Sequence, residues 1–367
     1  MRKMTKICLL MVAALALSGF SEARAAVGSK PITRGRRVVR RAAASPAAAK
    51  PAAVKPAAAK PAAEPPLGSG GYRLVAKVPG GICRDPYVGA MSVDADTGRV
   101  LFTDHADAKG YPASVTKLMT ILLVMDDIEA GKYTFEDRAA ASALAAAEEP
   151  SKVDIRPGQT MTIDDLCKSI MVKSANDAAV VLAEYSASHG IDAVAAPEGA
   201  KALDTTLLDA FVRRMNARAA DLGMTNTVYA SPNGLPPKKD RSGKPTRPFD
   251  SSTAEDLVKL AREVVKHPRI LSYTSLPRVT VTDGAGKPLE LGNHNYFVVG
   301  SKDTPKIPEC DGLKTGYTDA AGSSIVLTGS RRGHRVVVVV LSSAGRKLRD
   351  DNAGRLLEDA LGAVSGW

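Results

Sequence analysis

In the stretch "YPASVTKLMT", residues 111–120, Ser114 is followed three positions later by Lys117 and then by a long apolar run. On a helix that spacing puts both side chains on one face. A serine hydroxyl is a weak nucleophile until a base takes its proton. A lysine amine can be that base only when neutral, and burial or a nearby cation lowers its pKa. The apolar run supplies burial. Lys314, in "GLKTGYT", is the candidate cation. A first-turn position would also set Ser114 in the positive field of a helix N-terminus. The chemistry these residues could perform is acyl transfer through a serine ester.

Taken alone, the pair says little. Ser-x-x-Lys is expected about once by chance in a chain of this length, and a helix-start serine beside a snorkelling lysine is the plain alternative. Two further fragments matter. Ser174-Ala175-Asn176 lies between two helical stretches, where polar groups can project from a helix–helix corner. Ser231-Pro232-Asn233 fits the same pattern, but sits in "SPNGLPP", which reads as an ordinary turn. Lys314-Thr315-Gly316 opens a strand, and a glycine there permits close backbone approach. The order Ser-x-x-Lys, Ser-x-Asn, Lys-Thr-Gly, on helix, inter-helix loop and strand, makes three independent accidents improbable.

The elements that must position these residues can be outlined. "YVGAMSVDADTGRVLFTDH" reads as a hairpin around an Asp/Gly-rich turn. A buried helix is expected from Pro112 to Gly131, apolar around most of its circumference. Residues 135–265 read as mostly helical, with Thr162 and Asp165 forming a capping-box-like start. After that the texture turns to β. "PRVTVTD" alternates, and residues 312–343 read as two strands joined around Arg331-Arg332-Gly333, before an amphipathic last helix. The expected fold is α+β: one antiparallel sheet built from both chain ends, covered by the first and last helices, with an all-helical lobe at about 135–265 inserted.

Composition divides the chain. Residues 1–25 combine a basic start, the apolar run "ICLLMVAALAL" and Ala23-Arg24-Ala25, the pattern of a secretory signal peptide. Residues 26–71 repeat Lys-Pro-Ala-Ala units with few large apolar groups, the composition of a disordered tether. Residues 1–64 hold 13 Lys+Arg against 2 Asp+Glu, which equals the whole-chain charge of +11 and leaves residues 65–367 neutral. A neutral domain lacks the electrostatic footprint of a nucleic-acid binder. The tether could instead touch anionic envelope polymers or headgroups, and the expected location is periplasmic. Residues 72–367 are long enough for one large catalytic domain. Beyond the leader the cysteines are Cys83, Cys167 and Cys310. An odd count without C-x-x-C argues against zinc or a disulfide scaffold. Cys83–Cys310 is the pair an exported chain would bridge.

The three motifs resemble those of the active-site serine penicillin-recognising enzymes. "DADTGRVLFTDHADAKGYPASVTKLMT", "MVKSANDAAVVLAE", "FVRRMNARAADLGMTNTVYASPNGL", "GNHNYFV" and "DGLKTGYTDAAGSSIV" look like the low-molecular-mass D-alanyl-D-alanine carboxypeptidases, over roughly residues 85–360. The resemblance implies a β-lactamase/transpeptidase-like fold and peptidoglycan pentapeptide stems as substrate, with β-lactams as inhibitors. It implies Ser114 as acylated nucleophile, Lys117 as base and Ser174 as proton relay. Asn176 would orient the substrate amide, and Lys314 and Thr315 would hold the terminal carboxylate. Gly316 would leave room for the substrate, and the N–H groups of Ser114 and Tyr317 would form an oxyanion hole. No metal or organic cofactor is required. D,D-endopeptidases that cut cross-links share the same residues. A β-lactamase reading meets Ser-Ala-Asn where Ser-Asp-Asn is usual, and Glu148 and Glu149 are the nearest acidic pair. A non-catalytic wall-binding module would not need the intact motifs.

Overall fold

A computed structural model describes residues 72–189 and 207–365, all within the compact unit Ala59–Trp367. The leader and the tether lie outside the described residues. Two short strands, β1 (Arg73–Leu74) and β2 (Arg84–Asp85), precede the hairpin β3 (Gly89–Asp94) and β4 (Val100–Asp104). A 3-10 turn, Ala113–Thr116, leads into α1 (Lys117–Glu129). Then follow β5 (Arg138–Ala140), α2 (Ala143–Ala146), β6 (Thr160–Thr162), α3 (Ile163–Lys173), α4 (Asn176–Ser188), α5 (Leu207–Asp221), α6 (Ala254–Val264) and α7 (Pro268–Thr274). The hairpin β7 (Arg278–Thr282) and β8 (Pro288–Gly292) and the short α8 (Tyr296–Val299) precede β9 (Cys310–Thr318), β10 (Gly322–Arg331), β11 (His334–Ser343) and α9 (Arg346–Ser365).

The main sheet runs β4-β3-β11-β10-β9, antiparallel throughout, so strands from both halves of the chain meet where β3 pairs β11. β2 adds a parallel bridge at Ser343. Sequence explains the seam. β11 is covered on both faces, so Val336 to Leu341 read as a continuous apolar run instead of alternating. On one face Val336, Val338 and Val340 pack with Leu356, Leu357 and Leu361 of α9. On the other, Val337, Val339 and Leu341 join the core of the helical layer. α1 is the hub of that layer. Leu118, Ile121, Leu122 and Val124 are fully buried, each worth about 1.5–3 kcal/mol of removal from water.

Several expectations are corrected. The helix does not run unbroken from Pro112. Ala113 adopts φ +49°, which an α-helix cannot hold, so a separate turn carries Ser114 and α1 begins at Lys117. The C-terminal β region has three long strands, because residues 319–321 turn the chain between β9 and β10. There the Thr318 hydroxyl accepts from the Ala321 N–H at 3.1 Å and Gly322 takes φ +69°. The helical middle contains the β5–β6 pair. α6, more than α1, lies against β3 and β11. Cys83, Cys167 and Cys310 are buried free thiols, and Cys310 Sγ donates to the Gly312 carbonyl at 3.4 Å. The capping expectation agrees: Thr162 Oγ1 accepts from Asp165 N–H at 3.1 Å.

Candidate active site

Three elements converge. The 3-10 turn presents Ser114, the α3–α4 corner presents Ser174 and Asn176, and β9 presents Lys314, Thr315, Gly316 and Tyr317. Ser114, Ser174, Asn176, Thr315, Gly316 and Tyr317 line one cleft of about 610 Å³. Lys117 and Lys314 lie in its floor, 0% and 2% exposed.

Lys117 Nζ has three partners: Ser114 Oγ at 2.8 Å, Asn176 Oδ1 at 2.6 Å and the Asn233 carbonyl at 2.6 Å. Two of these can only accept. The Asn176 amide is oriented by its Nδ2, which donates to the Glu149 carbonyl at 2.9 Å. A neutral amine has two N–H donors and one lone pair. It therefore donates to Asn176 and Asn233 and turns its lone pair toward the one partner with a proton to give, the Ser114 hydroxyl. Burial holds Lys117 well below the usual lysine range, and the cation Lys314 pushes the same way, against Asp250, Glu148 and Asp177. Lys314 is itself pushed down to about 7 by burial and by Arg349.

Lys314 Nζ donates to Ser174 Oγ and to the Thr315 carbonyl, both at 2.9 Å. Ser174 is not the N-cap of α4. It ends α3 in the left-handed region, φ 62° and ψ 30°, which turns its hydroxyl toward Lys314. The loop opposite is pinned from α4. Asn176 N–H donates to the Ser151 carbonyl at 2.7 Å, and the buried Asp177 carboxylate accepts from Val153 N–H at 3.0 Å and Ala178 N–H at 2.8 Å.

Gly316 corrects its expected role. A Cβ there would fall 2.5 Å from the Pro112 carbonyl oxygen and 3.2 Å from Ser114 N. Its clearance is thus filled by the serine turn, not held open for substrate. That contact brings β9 against the backbone of Ser114. Tyr317 sits at the rim, 53% exposed, its hydroxyl donating to Asp319 at 2.7 Å.

Sequence reasoning missed a second support. The "SPNGL" turn is part of the site, not a plain turn. Besides the Asn233 carbonyl on Lys117, the Pro232 carbonyl accepts from Thr120 of α1 at 2.6 Å. Asn233 Nδ2 donates to Glu148 at 2.7 Å, and Asp250 accepts from the Ser231 hydroxyl at 2.7 Å. Gly234, at φ +76°, has the Ala113 carbonyl where a Cβ would be, 1.9 Å away. An Asn-Gly step with a strict positive-φ requirement was the available signal. Arg349 was also missed. It lines the cleft, is 3% exposed, and pairs with Asp350 at 2.5 Å.

Comparisons with known proteins give the family and the fold. The sequence pattern of the peptidase S11 family, D-alanyl-D-alanine carboxypeptidase, matches residues 88–196 and 206–345. The chain is similar to D-alanyl-D-alanine carboxypeptidase DacF of Bacillus subtilis, 29% identical over 271 residues, 74% of this chain and 61% of that relative. It therefore spans about three fifths of that relative's length. It is 28% identical to a D-alanyl-D-alanine endopeptidase of Escherichia coli over 270 residues, 73% of this chain and 74% of the relative. Penicillin-binding protein D2 of Listeria monocytogenes, solved with cefotaxime bound, aligns with a TM-score of 0.57 at 29% identity, over 74% of this chain and 96% of that one. With the family pattern covering well over half of its residues, this chain belongs to the D-alanyl-D-alanine carboxypeptidase (peptidase S11) family.

Proposed function

We propose that the protein is a serine D-alanyl-D-alanine carboxypeptidase acting on peptidoglycan stem peptides. The observation that carries this reading is the Lys117 amine held between two acceptors and the Ser114 hydroxyl. Neutral Lys117 takes the Ser114 proton as Oγ bonds to the penultimate D-alanyl carbonyl carbon. The Ser114 and Tyr317 N–H groups face the oxyanion, each worth about 3 kcal/mol in sites of this kind. The C–N bond then breaks, and the proton reaches the leaving amine through Ser174, which Lys314 contacts. Water hydrolyses the ester. Lys314, Thr315 and Arg349 hold the terminal carboxylate of the peptide or of a β-lactam, and Asn176 orients the amide. In the test, a pentapeptide ending in D-Ala–D-Ala releases free D-alanine with the wild type and none with Ser114→Ala. Absence of release by the wild type sinks the reading.

The Escherichia coli endopeptidase relative supports a second reading, cleavage of the equivalent bond in cross-links. Digestion of purified cross-linked wall separates the two: free D-alanine for one, separated stems for the other. We further propose that the leader directs export to the periplasm, where the basic tether contacts anionic envelope polymers. Recovery of the full-length chain with its leader in the cytosolic fraction would overturn that.

A further inference from the structure

Two cations line the cleft with no carboxylate partner among the described residues. Lys77 Nζ lies 5.7 Å from the centre of the Tyr317 ring, and Arg346 Cζ lies 5.0 Å from that of Tyr296, its Nη1 donating to the hydroxyl at 3.4 Å. Both line the cleft, and no Asp or Glu is among the described residues that do. Asp319 accepts from the hydroxyl of Lys77's ring partner, Tyr317, and does not line the cleft. Asp350 is taken by Arg349. A ring face attracts a cation without neutralising its charge, which an anion can still meet.

The position of Lys77 is built, not incidental. Its segment is fixed ahead by the Tyr72 hydroxyl donating to Asp104. Val75 N–H on the Cys83 carbonyl at 3.0 Å adds a second tie ahead, and behind it is fixed by Ile82 N–H on the Ala320 carbonyl at 2.9 Å. The strap therefore carries Lys77 across the end of β9. Tyr317 is two residues past Thr315, on the same face of its strand. Arg346 is one turn before Arg349 on α9. Tyr317, Ser323 and Ser343 are neighbours across β9, β10 and β11, so the strand end under Lys77 and the helix start bearing Arg346 meet on one side of the cleft. Both cations thus line the same cleft as Thr315 and Arg349, residues assigned to the terminal carboxylate, which belongs to the leaving group.

We propose that Lys77 and Arg346 form a second anion subsite on the leaving-group side, selecting peptides whose leaving D-residue carries a further carboxylate. This rests on the D,D-peptidase reading above and deepens it.

Three acylated tripeptides test it: one ending in D-Ala–D-Ala, one in D-Ala–D-Glu, and one in D-Ala–D-Ala with a succinylated lysine on the donor side. Wild type and Lys77→Ala/Arg346→Ala are compared by kcat/KM, with thermal melts confirming the fold. The D-Glu to D-Ala preference is expected to fall roughly tenfold in the double variant, about what two partly exposed charge contacts can supply. The succinyl preference stays within twofold. A preference that does not change, or a loss seen with the donor-side carboxylate, overturns the subsite. Wild type inert on all three counts against the peptidase reading itself, a separate result.

Discussion

In the proposed mechanism the lysine amine at 117 carries the chemistry because it is kept short of a proton. Burial does most of this and Lys314 adds to it. Acylation by a penicillin should therefore fall as pH drops through the Lys117 value and level off above it. Lys314→Met removes one cause, so the acid limb should move to higher pH, by about one unit or less. Stopped-flow or quench measurement of the acylation rate against pH checks this, and an unmoved limb contradicts the coupling. The three motifs were legible because each fixes a residue type at a fixed spacing. Asn233 and Gly234 were not, because what they contribute is a carbonyl and a missing Cβ. Neither a backbone oxygen nor an absent atom has a side-chain signature to recognise.

Among the elements, the contact of β9 with the serine turn decides geometry. Gly316→Ala forces a Cβ toward the Pro112 carbonyl. Overpacking of this kind costs about 1–3 kcal/mol, and here the strain falls on Ser114. The expected outcome is a modest loss in melting temperature with a drop of a hundredfold or so in acylation rate, since about 1 Å of misplacement can cost that much. An acylation loss no larger than the stability change would argue that the contact only packs. A second tie holds α5 to α1. Arg214 donates to Asp127 at 2.5 Å and to Ser186 of α4 at 2.8 Å, and Asp127 is 1% exposed. Arg214→Leu leaves that carboxylate with Lys132 as its remaining cation. Denaturant unfolding should show a loss near 3 kcal/mol, while acylation of the folded fraction persists. The hydrophobic pattern made the helices and the first hairpin readable. The three-strand count was lost because β9, polar at Lys314, Thr315 and Thr318, did not look like its apolar neighbours.

At the scale of the described residues, one sheet joins strands from their two ends, with the candidate site where that sheet meets the helical layer. This was readable from strands at both ends bracketing helices. The thiols were not, since Cys83 packs under Gly322 and Cys310 turns to its own strand, a placement only tertiary structure fixes. Reductant should leave the melting temperature unchanged, and all described thiols should titrate on unfolding without it; a melting shift on reduction would indicate a bridge. The central claim remains that Ser114 is acylated with Lys117 as its base. Intact-mass spectrometry after incubation with a penicillin tests it most directly. Wild type is expected to gain one penicillin mass, localised to Ser114, while Ser114→Ala gains none and Lys117→Met gains it at least a hundredfold more slowly, the scale of general-base assistance. No adduct on the wild type, or one that survives Ser114→Ala, would contradict the account.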